Sequence, residues 1–475
     1  RRHRPAPFSP SRLPLTPPGR DLFLSEQMSP DQWLAHLQRK LAAQAQAAGV
    51  YRAYYDGDHR LAFATSKFRE AFGSLFSAFA DNWCQIVVDA AAERLTVQGF
   101  RFGPGDGGDE RAWEIWQANG LDAESIKGHT EAVKCGRAYL LASPASEGTT
   151  GLPVVTVEHP SQVVLECAPG RRRDRLAALK TWTDLDGRAH ATLYLPRSIH
   201  RYQSAGKGNP TWEAVDGGGA NPAGVVPVVA LENNPDLVTG GRSDLQPVVR
   251  MQDAINKLCS DMLVSSEYNA FRQRYATGLE IPVDEETGQP IPGADLKAGM
   301  SRLMVSADPD TRFGEFSETT LGGYIAAIRL LVTHVAAQTR TPPHYVLGEI
   351  VNASGDALKA AETGLAYRVR RKQIDFSDPW EDVMRIAFLL DGDKARAGQS
   401  QAEVVWRDAE ARSEGEVVDA LTKLRTLGVP LETVWAIYGF SPQEIARMKN
   451  LAGLPDRPPP GATTAAAAAP AVPAP

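Results

Sequence analysis

Two long segments whose apolar residues recur at helical spacing constrain the fold more than any other feature of this chain. In residues 243–270 the apolar side chains follow one another at intervals of 3, 4, 3 and 4: Val248, Met251, Ile255, Leu258 and Met262. A similar pattern occupies residues 318–340, and the turn-rich stretch between the two segments includes "PVDEETGQPIPGAD". Such spacing predicts two helices, each of which packs through the side that bears its apolar residues. We expect them to run antiparallel and to carry the insert at their far end.

The stretch "VNASGDALKAAETGL", residues 351–365, begins with turn formers and continues with small helix formers. Two prolines precede it, and Ser354 fits the N-cap of a new helix. The sequence therefore predicts a loop at 341–354 that has a helix on each side. The second helix is predicted to continue toward "RVRRKQ", where Pro379 would kink or restart it.

The remaining segments predict a helix-rich α+β fold. Ser29, Pro30 and Gln32 fit the N-cap, N1 and N3 positions of a first helix. Residues 138–232 contain short β-like runs separated by Gly, Pro and Asp turns, which indicates antiparallel sheet. Two further capping patterns near the end of the chain predict a small helical subdomain within residues 403–455.

Composition excludes several classes of protein. A chain of 475 residues is expected to form two or three domains. A net charge of −6 argues against a protein that grips nucleic acid over its whole surface. The four cysteines are scattered and form no CxxC pair, which is typical of a reduced, cytosolic protein. No apolar run approaches the roughly 20 residues that a bilayer span needs, so we expect no membrane contact.

Both ends of the chain have the composition of disordered segments. Residues 1–27 are basic and rich in proline, and residues 456–475 are a low-complexity Ala and Pro tract. Neither has an apolar period that could be buried, so disorder is predicted for both. The first segment also lacks an initiator Met, and we expect an over-extended gene start.

We find no catalytic motif. The run "AGKGNP" (205–210) lacks the hydroxyl of a phosphate-binding loop, and "GPGDGG" (103–108) follows no strong strand. The nine histidines are dispersed, and His129 is predicted to lie on a helix surface. The basic runs 171–173 and 370–372 are predicted to be solvated. We therefore predict no catalytic residue, no metal site and no cofactor.

Several stretches of the chain together resemble one known family. They are "YYDGDHRL" (54–61), "FADNWCQIVVDAAAERLTVQGF" (79–100), "NPAGVVPVVAL" (221–231), "ASGDALKAAETGL" (353–365), "VVWRDAEARSEGEVVDALTKLRTLGVP" (404–430) and "GFSPQEIARM" (439–448). In this order they resemble the portal proteins of tailed bacteriophages, in the branch common among phages and prophages of actinobacteria. The resemblance covers about residues 28–455 and is more specific than any single motif.

The resemblance implies a non-enzymatic protein that forms a homo-oligomeric ring, usually of twelve subunits, at one vertex of the virion capsid. Double-stranded DNA is packaged and ejected through such a ring, which is assembled in the host bacterial cytoplasm. The implied protein partners are the large terminase, head-completion or adaptor proteins, and the major capsid and scaffolding proteins.

The portal fold has named parts, and the resemblance places them along the chain in a fixed order. They are the wing (28–240), the first stem helix (241–270), the clip (271–317), the second stem helix (318–340), the tunnel loop (341–354), the long wing helix (355–402) and the crown (403–455). The tunnel loop would reach into the channel, and the helix that begins at Ser354 would anchor it to the ring.

Three sets of residues are candidates for function within this scheme. The tunnel-loop set is expected to make transient contacts with DNA phosphate and groove: His344, Tyr345, Glu349 and Asn352. The stem set is expected to place charge in the lumen: Lys257 and Arg329. The interface set is expected to contact a neighbouring subunit: Val248, Met251, Ile255, Ala357 and Ala361.

Two other interpretations of the sequence remain open. One is another non-catalytic head or tail component, an adaptor or a scaffolding protein. The other is a hydrolase with a helical lid, which would need titratable groups that converge in one pocket. The paired helices around an insert, followed by a capped helical subdomain, favour the portal over both.

Overall fold

The computed structural model describes residues 28–59, 70, 81–103, 108–145, 151–206, 211–270, 274–278, 310–315, 320–348, 355–410 and 414–452. The predictions of disorder at both ends of the chain lie outside these residues. The second half of the predicted tunnel loop and most of the predicted clip also lie outside them.

The described helices fall into three groups along the chain. The first group is α1 (Pro30–Asp56), α2 (Cys84–Ala92), α3 (Glu110–Ala118) and α4 (Leu121–Cys135). The second is α5 (Val249–Ala270), α6 (Gly322–Thr339), α7 (Pro343–Leu347), α8 (Gly355–Asp391) and α9 (Lys394–Ala397). The third is α10 (Glu414–Thr426), α11 (Leu431–Tyr438) and α12 (Pro442–Ala452).

The described strands form four antiparallel sheets. Strands β1 (Val97–Phe102) and β13 (Ala402–Trp406) pair with each other, as do β11 (Arg274–Thr277) and β12 (Arg312–Glu315). A three-stranded sheet has the order β10-β2-β3, where β2 is Arg137–Ser143, β3 is Val154–Glu158 and β10 is Val228–Glu232. The largest sheet has the order β4-β5-β6-β7-β8 with β9 beside β7; its strands are β4 (Val163–Ala168), β5 (Arg171–Thr183), β6 (Ala189–Tyr194), β7 (Ser198–Ser204), β8 (Trp212–Ala214) and β9 (Gly219–Ala220). These sheets confirm the prediction of a helix-rich α+β fold.

Helix α1 begins where the sequence predicts. The Ser29 side chain accepts a hydrogen bond from the Gln32 backbone N–H, and the Gln32 side chain accepts one from the Ser29 N–H at 2.8 Å. This capping box satisfies two backbone donors that the first turn would otherwise leave unpaired. The apolar stripe of α1, which includes Trp33 and Leu37, packs on the largest sheet and forms an apolar core of its own with it.

Helices α5 and α6 run antiparallel, as predicted. The Ser265 hydroxyl near the end of α5 donates to the Tyr324 hydroxyl near the start of α6 at 3.3 Å. Ile255 and Val335 of the two helices belong to the main apolar core, which also contains the middle of α8. The pair β11–β12 follows α5 and precedes α6, so it forms the described base of the insert.

The structure corrects the predicted start of the first long helix. Residues 243–248 form a turn, and α5 begins at Val249 instead of 243. The Ser243 hydroxyl donates to the backbone oxygen of Lys134 and accepts from the Leu245 N–H, which holds this segment against α4 in a non-helical path.

Two further boundaries differ from the prediction. Helix α8 continues through Pro379 without restarting, because Trp380 and its neighbours on the same face are buried in the main core. Residues 402–406 are a strand that pairs with β1, where Phe100 faces Val404. The start of the predicted crown is therefore paired with a strand of the predicted wing, and the C-terminal helices begin at Glu414.

Candidate functional site

The first half of the predicted tunnel loop is folded onto the chain. Helix α6 ends at Thr339, and after Arg340 the chain forms the short helix α7. Thr341 and Val346 are buried, and Val346 belongs to the main core. Gly348 then adopts a left-handed backbone with φ of +64°, a conformation that costs glycine little. Any projection into a channel would therefore begin after residue 348.

His344 and Tyr345 meet at one carboxylate of α8. The Arg94 guanidinium donates to the Tyr345 hydroxyl at 2.8 Å and to Glu362 Oε2 at 3.0 Å. The Tyr345 hydroxyl donates to Glu362 Oε1 at 3.4 Å, and His344 Nε2 lies 3.7 Å from the same oxygen. These contacts tie α7 to α8 and to the turn after α2. Glu349 and Asn352, the other two members of the tunnel-loop set, lie outside the described residues.

The two stem charges are placed differently. Lys257 lies on α5 and forms an ion pair with Asp261 one turn further along. Arg329 lies on the exposed side of α6. Each also has a contact with a neighbouring group. A single chain contains no channel, so the expectation that these charges face a lumen stays a prediction.

The structure revises the interface set. Val248 and Ile255 are fully buried in the core of the chain itself, so the prediction that they contact a neighbouring subunit is wrong. They pack in this core because α5 and the turn before it lie against α6 on this side. Met251 is half-buried at the edge of that core. On α8, Ala357 is exposed and Ala361 is half-buried, which leaves both as candidates for contact between subunits.

A buried ion cluster joins α8 to the segment before α5. Lys372 Nζ lies 2.8 Å from Asp244 Oδ2 and donates to Asn233 Oδ1 at 2.5 Å, and neither the lysine nor the asparagine is exposed. Arg368 forms two hydrogen bonds to Asp244, of which the one from Nε is 3.0 Å long. The remaining donors of Arg368 reach the backbone oxygens of Val87 and Thr339. The cluster therefore holds four parts of the chain together: α2, the segment before α5, the end of α6 and α8.

Charge balance decides the protonation of this cluster. Burial opposes ionisation of Asp244, but Arg368 and Lys372 outweigh it and hold the pKa of Asp244 well below its usual range. Burial lowers the pKa of Lys372 to about 8, although Asp244 partly offsets the effect. The prediction that the run 370–372 is solvated is thus wrong for Lys372. Its acidic partner is distant in sequence, so local spacing gave no signal of the pair.

His129 is fully buried, which contradicts its predicted place on a helix surface. The Trp380 indole N–H donates to His129 Nε2 at 2.9 Å, so Nδ1 carries the proton and donates to the Leu95 backbone oxygen at 3.0 Å. The ring stacks on Phe376. Burial lowers the pKa of His129 to about 4, and the residue is neutral at pH 7.

Three residues with metal-ligand side chains meet between α4 and β3. Glu131 Oε2 lies 3.6 Å from Cys135 Sγ and 3.2 Å from His159 Nε2. The Ser161 backbone N–H donates to His159 Nδ1, so the ring proton resides on Nε2, the atom that a metal would need. Lys134 Nζ also lies 2.6 Å from Glu131 Oε1. Because one ligand atom is protonated and a cation is already present, the arrangement suits an ion pair better than a metal site.

The helices also bear on a membrane role. Among those that the structure describes, none combines the length and the apolar character that a bilayer crossing requires.

Comparison with known proteins places this architecture in a family. Residues 38–451 match the family model described as "Phage portal protein, SPP1 Gp6-like". The portal protein of Mycobacterium phage L5 is 33% identical over 384 residues, and the match covers 77% of each chain. The portal protein of Mycobacterium phage D29 is 33% identical over 383 residues with the same coverage.

A more distant likeness exists among solved structures. A chain from the neck of a native gene transfer agent particle, computed with C12 symmetry, has a TM-score of 0.44 and 11% identity to this chain. The match covers 81% of this chain and 96% of the other.

The family match extends over the sheets of residues 97–232, the paired helices and the C-terminal helices. The mycobacteriophage relatives fall within the actinobacterial branch that the resemblance indicated. The resemblance and the portal function that it implied are therefore confirmed. The chain belongs to the SPP1 Gp6-like family of phage portal proteins.

Proposed function

We propose that copies of this chain form a ring, of twelve subunits, at one capsid vertex, and that double-stranded DNA enters and leaves the capsid through it. The observation that carries the proposal is the portal family match along residues 38–451. The ring would be assembled in the host cytoplasm and reside in the virion. Its partners would be the large terminase, head-completion or adaptor proteins, and the capsid and scaffolding proteins.

The described elements suggest how the ring would be built. We assign the antiparallel pair α5 and α6 to the stem, and the strands β11 and β12 to the base of the clip. The sheets and helices of residues 28–240, with β13, would form the wing, and α8 would cross it. Helices α10 to α12 would form the crown. In a ring each subunit uses two different patches, and the α8 face around Ala357 and Ala361 is our candidate for one of them.

The net charge of the chain is compatible with a channel through which DNA moves. A protein that neutralises many phosphates binds DNA strongly, and such binding would act as a brake in a channel. A ring of twelve copies would carry a formal charge of about −72, which favours weak, sliding contact with DNA. We also propose that the protein has no catalytic activity, since portal proteins serve a structural role.

The oligomeric state tests this proposal. We expect mass photometry of the purified protein to show a large species, and electron microscopy to show rings with a bore wide enough for B-form DNA. The expectation follows from the heterologous interface that a closed ring requires. A monomer of about 51 kDa at every salt and protein concentration would refute the proposal. So would rings whose bore is too narrow for a duplex.

The tunnel loop provides a functional prediction. Deletion of residues 349–352 removes Glu349 and Asn352 but keeps the buried contacts of α7. We expect rings to form normally and particles to retain several-fold less DNA, because the transient contacts between loop and duplex are lost. DNA content per particle would be measured after nuclease treatment.

A second variant, Tyr345→Phe, separates the loop from α7. It removes the hydroxyl that Arg94 and Glu362 share but keeps the loop. If residues 349–352 make the contacts with DNA, this variant should package DNA as the wild type does. Unchanged DNA retention in the deletion variant would remove the role of residues 349–352, whereas a defect confined to Tyr345→Phe would move that role to α7.

A further inference from the structure

A cavity lined by arginines lies beside the buried ion cluster. It has a volume of about 370 Å³ and is formed by the segment before α5, the end of α6 and the middle of α8. The residues that matter here are Asn234, Arg242, Asp244, Arg340, Arg368 and Arg371, and we call this space the arginine cavity. Four arginines and one aspartate therefore line the same space.

The single carboxylate of the arginine cavity is already occupied. Asp244 accepts hydrogen bonds from Arg368, Lys372 and two asparagines, and it is buried. Arg368 in turn donates to Asp244, Val87 and Thr339. These residues form a wall whose polar groups bond one another, and the charge of Asp244 is already balanced by Arg368 and Lys372.

The other three arginines keep donors available. Arg242 is half exposed and places one nitrogen 3.1 Å from Asp236. Arg371 is largely exposed and bonds Asp375 through Nε alone, at 3.0 Å. The Arg340 guanidinium has no ion pair or hydrogen bond with any residue that the structure describes. Three guanidinium forks from three separate segments thus have nitrogens free for a bound anion.

The backbone around the cavity is also unusual. Among the described residues, two that are not glycine adopt a left-handed backbone, Asn234 with φ of 45° and Arg340 with φ of 53°, and both line this cavity. Asparagine tolerates this conformation, but for arginine it is uncommon. Glycine would end α6 at lower cost. An uncommon backbone conformation at an arginine therefore coincides with the lining of this cavity.

We propose that the arginine cavity binds a phosphate group, from either a free phosphate ion or the backbone of duplex DNA. A free phosphate ion carries up to two charges and four oxygens, so it suits a space lined by three arginines that keep free donors. A phosphodiester of DNA has one charge and two free oxygens, as a carboxylate has, so the duplex would have to present two successive phosphodiesters to pair with the same arginines. The DNA source depends on the proposed function, whereas the free-phosphate source does not.

The first experiment uses inorganic phosphate as the probe. The full-length protein is titrated with sodium phosphate, and with sodium chloride at matched ionic strength, while the thermal midpoint and the heat of binding are recorded. We expect a saturable rise in the midpoint for phosphate only. Arg340→Asn should weaken phosphate binding by at least about tenfold, because it removes charge-assisted hydrogen bonds. Asparagine keeps the left-handed backbone, so this variant should fold.

Two further variants sharpen the test. Arg371→Gln, which changes a second wall of the cavity, should weaken phosphate binding in the same direction. Arg172→Gln removes an exposed arginine of β5 and should leave phosphate binding unchanged. An equal phosphate response in the wild type, Arg340→Asn and Arg172→Gln would overturn the proposal, as would a response that never saturates.

A second arm uses a short DNA duplex and identifies the source of the phosphate. If the DNA backbone occupies the cavity, Arg340→Asn should weaken duplex binding and reduce the salt slope by about one. If a free ion occupies it, duplex binding should not change while phosphate binding is lost. Both outcomes support the cavity as a phosphate site.

Ring formation is recorded on the same samples. Absence of rings, with saturable phosphate binding retained, would count against the proposed function and leave the phosphate site standing. Loss of rings in Arg340→Asn, with no phosphate binding in the wild type, would show that an acidic group of a second copy fills the cavity, and the phosphate proposal would be wrong.

Discussion

Replacement of Asp244 by alanine should lower the free energy of unfolding by about 3–5 kcal/mol. The substitution leaves Arg368 and Lys372 in place without the carboxylate that neutralises them, and Lys372 is fully buried. An uncompensated charge in the interior costs more than the ion pair contributes. The shift should appear as a lower urea midpoint of tryptophan fluorescence.

A matched control compares the loss of the buried Asp244 carboxylate with the loss of an exposed carboxylate elsewhere on the chain. Asp419 lies on the exposed side of α10 and pairs with Lys423 one turn along. Because exposed pairs of this kind contribute little, Asp419→Ala should change stability by no more than about 0.5 kcal/mol. If Asp244→Ala also cost less than about 1 kcal/mol, the cluster would not be the junction that its geometry indicates.

Acidification from pH 6.5 to pH 4 should destabilise the protein by about 3 kcal/mol through His129 alone. In the folded chain burial lowers the pKa of His129 to about 4, whereas the unfolded residue titrates near its ordinary 6.5. The unfolded state therefore takes up a proton first, and stability falls as pH falls through this window. Urea midpoints at several pH values between 7 and 4 would record the decline.

The variant His129→Gln isolates this contribution. Glutamine can accept from the Trp380 indole but does not titrate, so the variant should lose much less stability over the same pH window than the wild type. His334 is exposed on α6, and His334→Gln should retain the full decline. Parallel pH profiles for the wild type and His129→Gln would contradict the assignment.

Local features were predictable from the sequence because the groups involved are neighbours along the chain. The capping boxes are the best example: Ser29 and Gln32 bond as expected, and so do Ser441 and Glu444 at the start of α12. The antiparallel sheets and the paired helices follow from periodic apolar spacing in the same way. Such patterns depend only on residues that lie within one or two helical turns, or within one or two neighbouring strands, of each other.

Features that depend on distant residues could not be predicted in this way. Lys372 looks like part of a solvated basic run until Asp244 and Asn233 are brought to it by the fold. Burial of His129 likewise depends on Phe376 and Trp380 of α8. The arginine cavity draws on three segments, so no single motif signals it. The tunnel-loop, stem and interface roles concern a ring, and they stay predictions.

The pairing of β1 with β13 also bears on when the chain can fold. Strand β1 lies far before its partner β13 in the chain, with all the other described strands between them. Until residues 402–406 have left the exit tunnel, β1 lacks this partner, and pairings this far apart in sequence form slowly. The last step in the folding of this sheet therefore waits for the synthesis of β13.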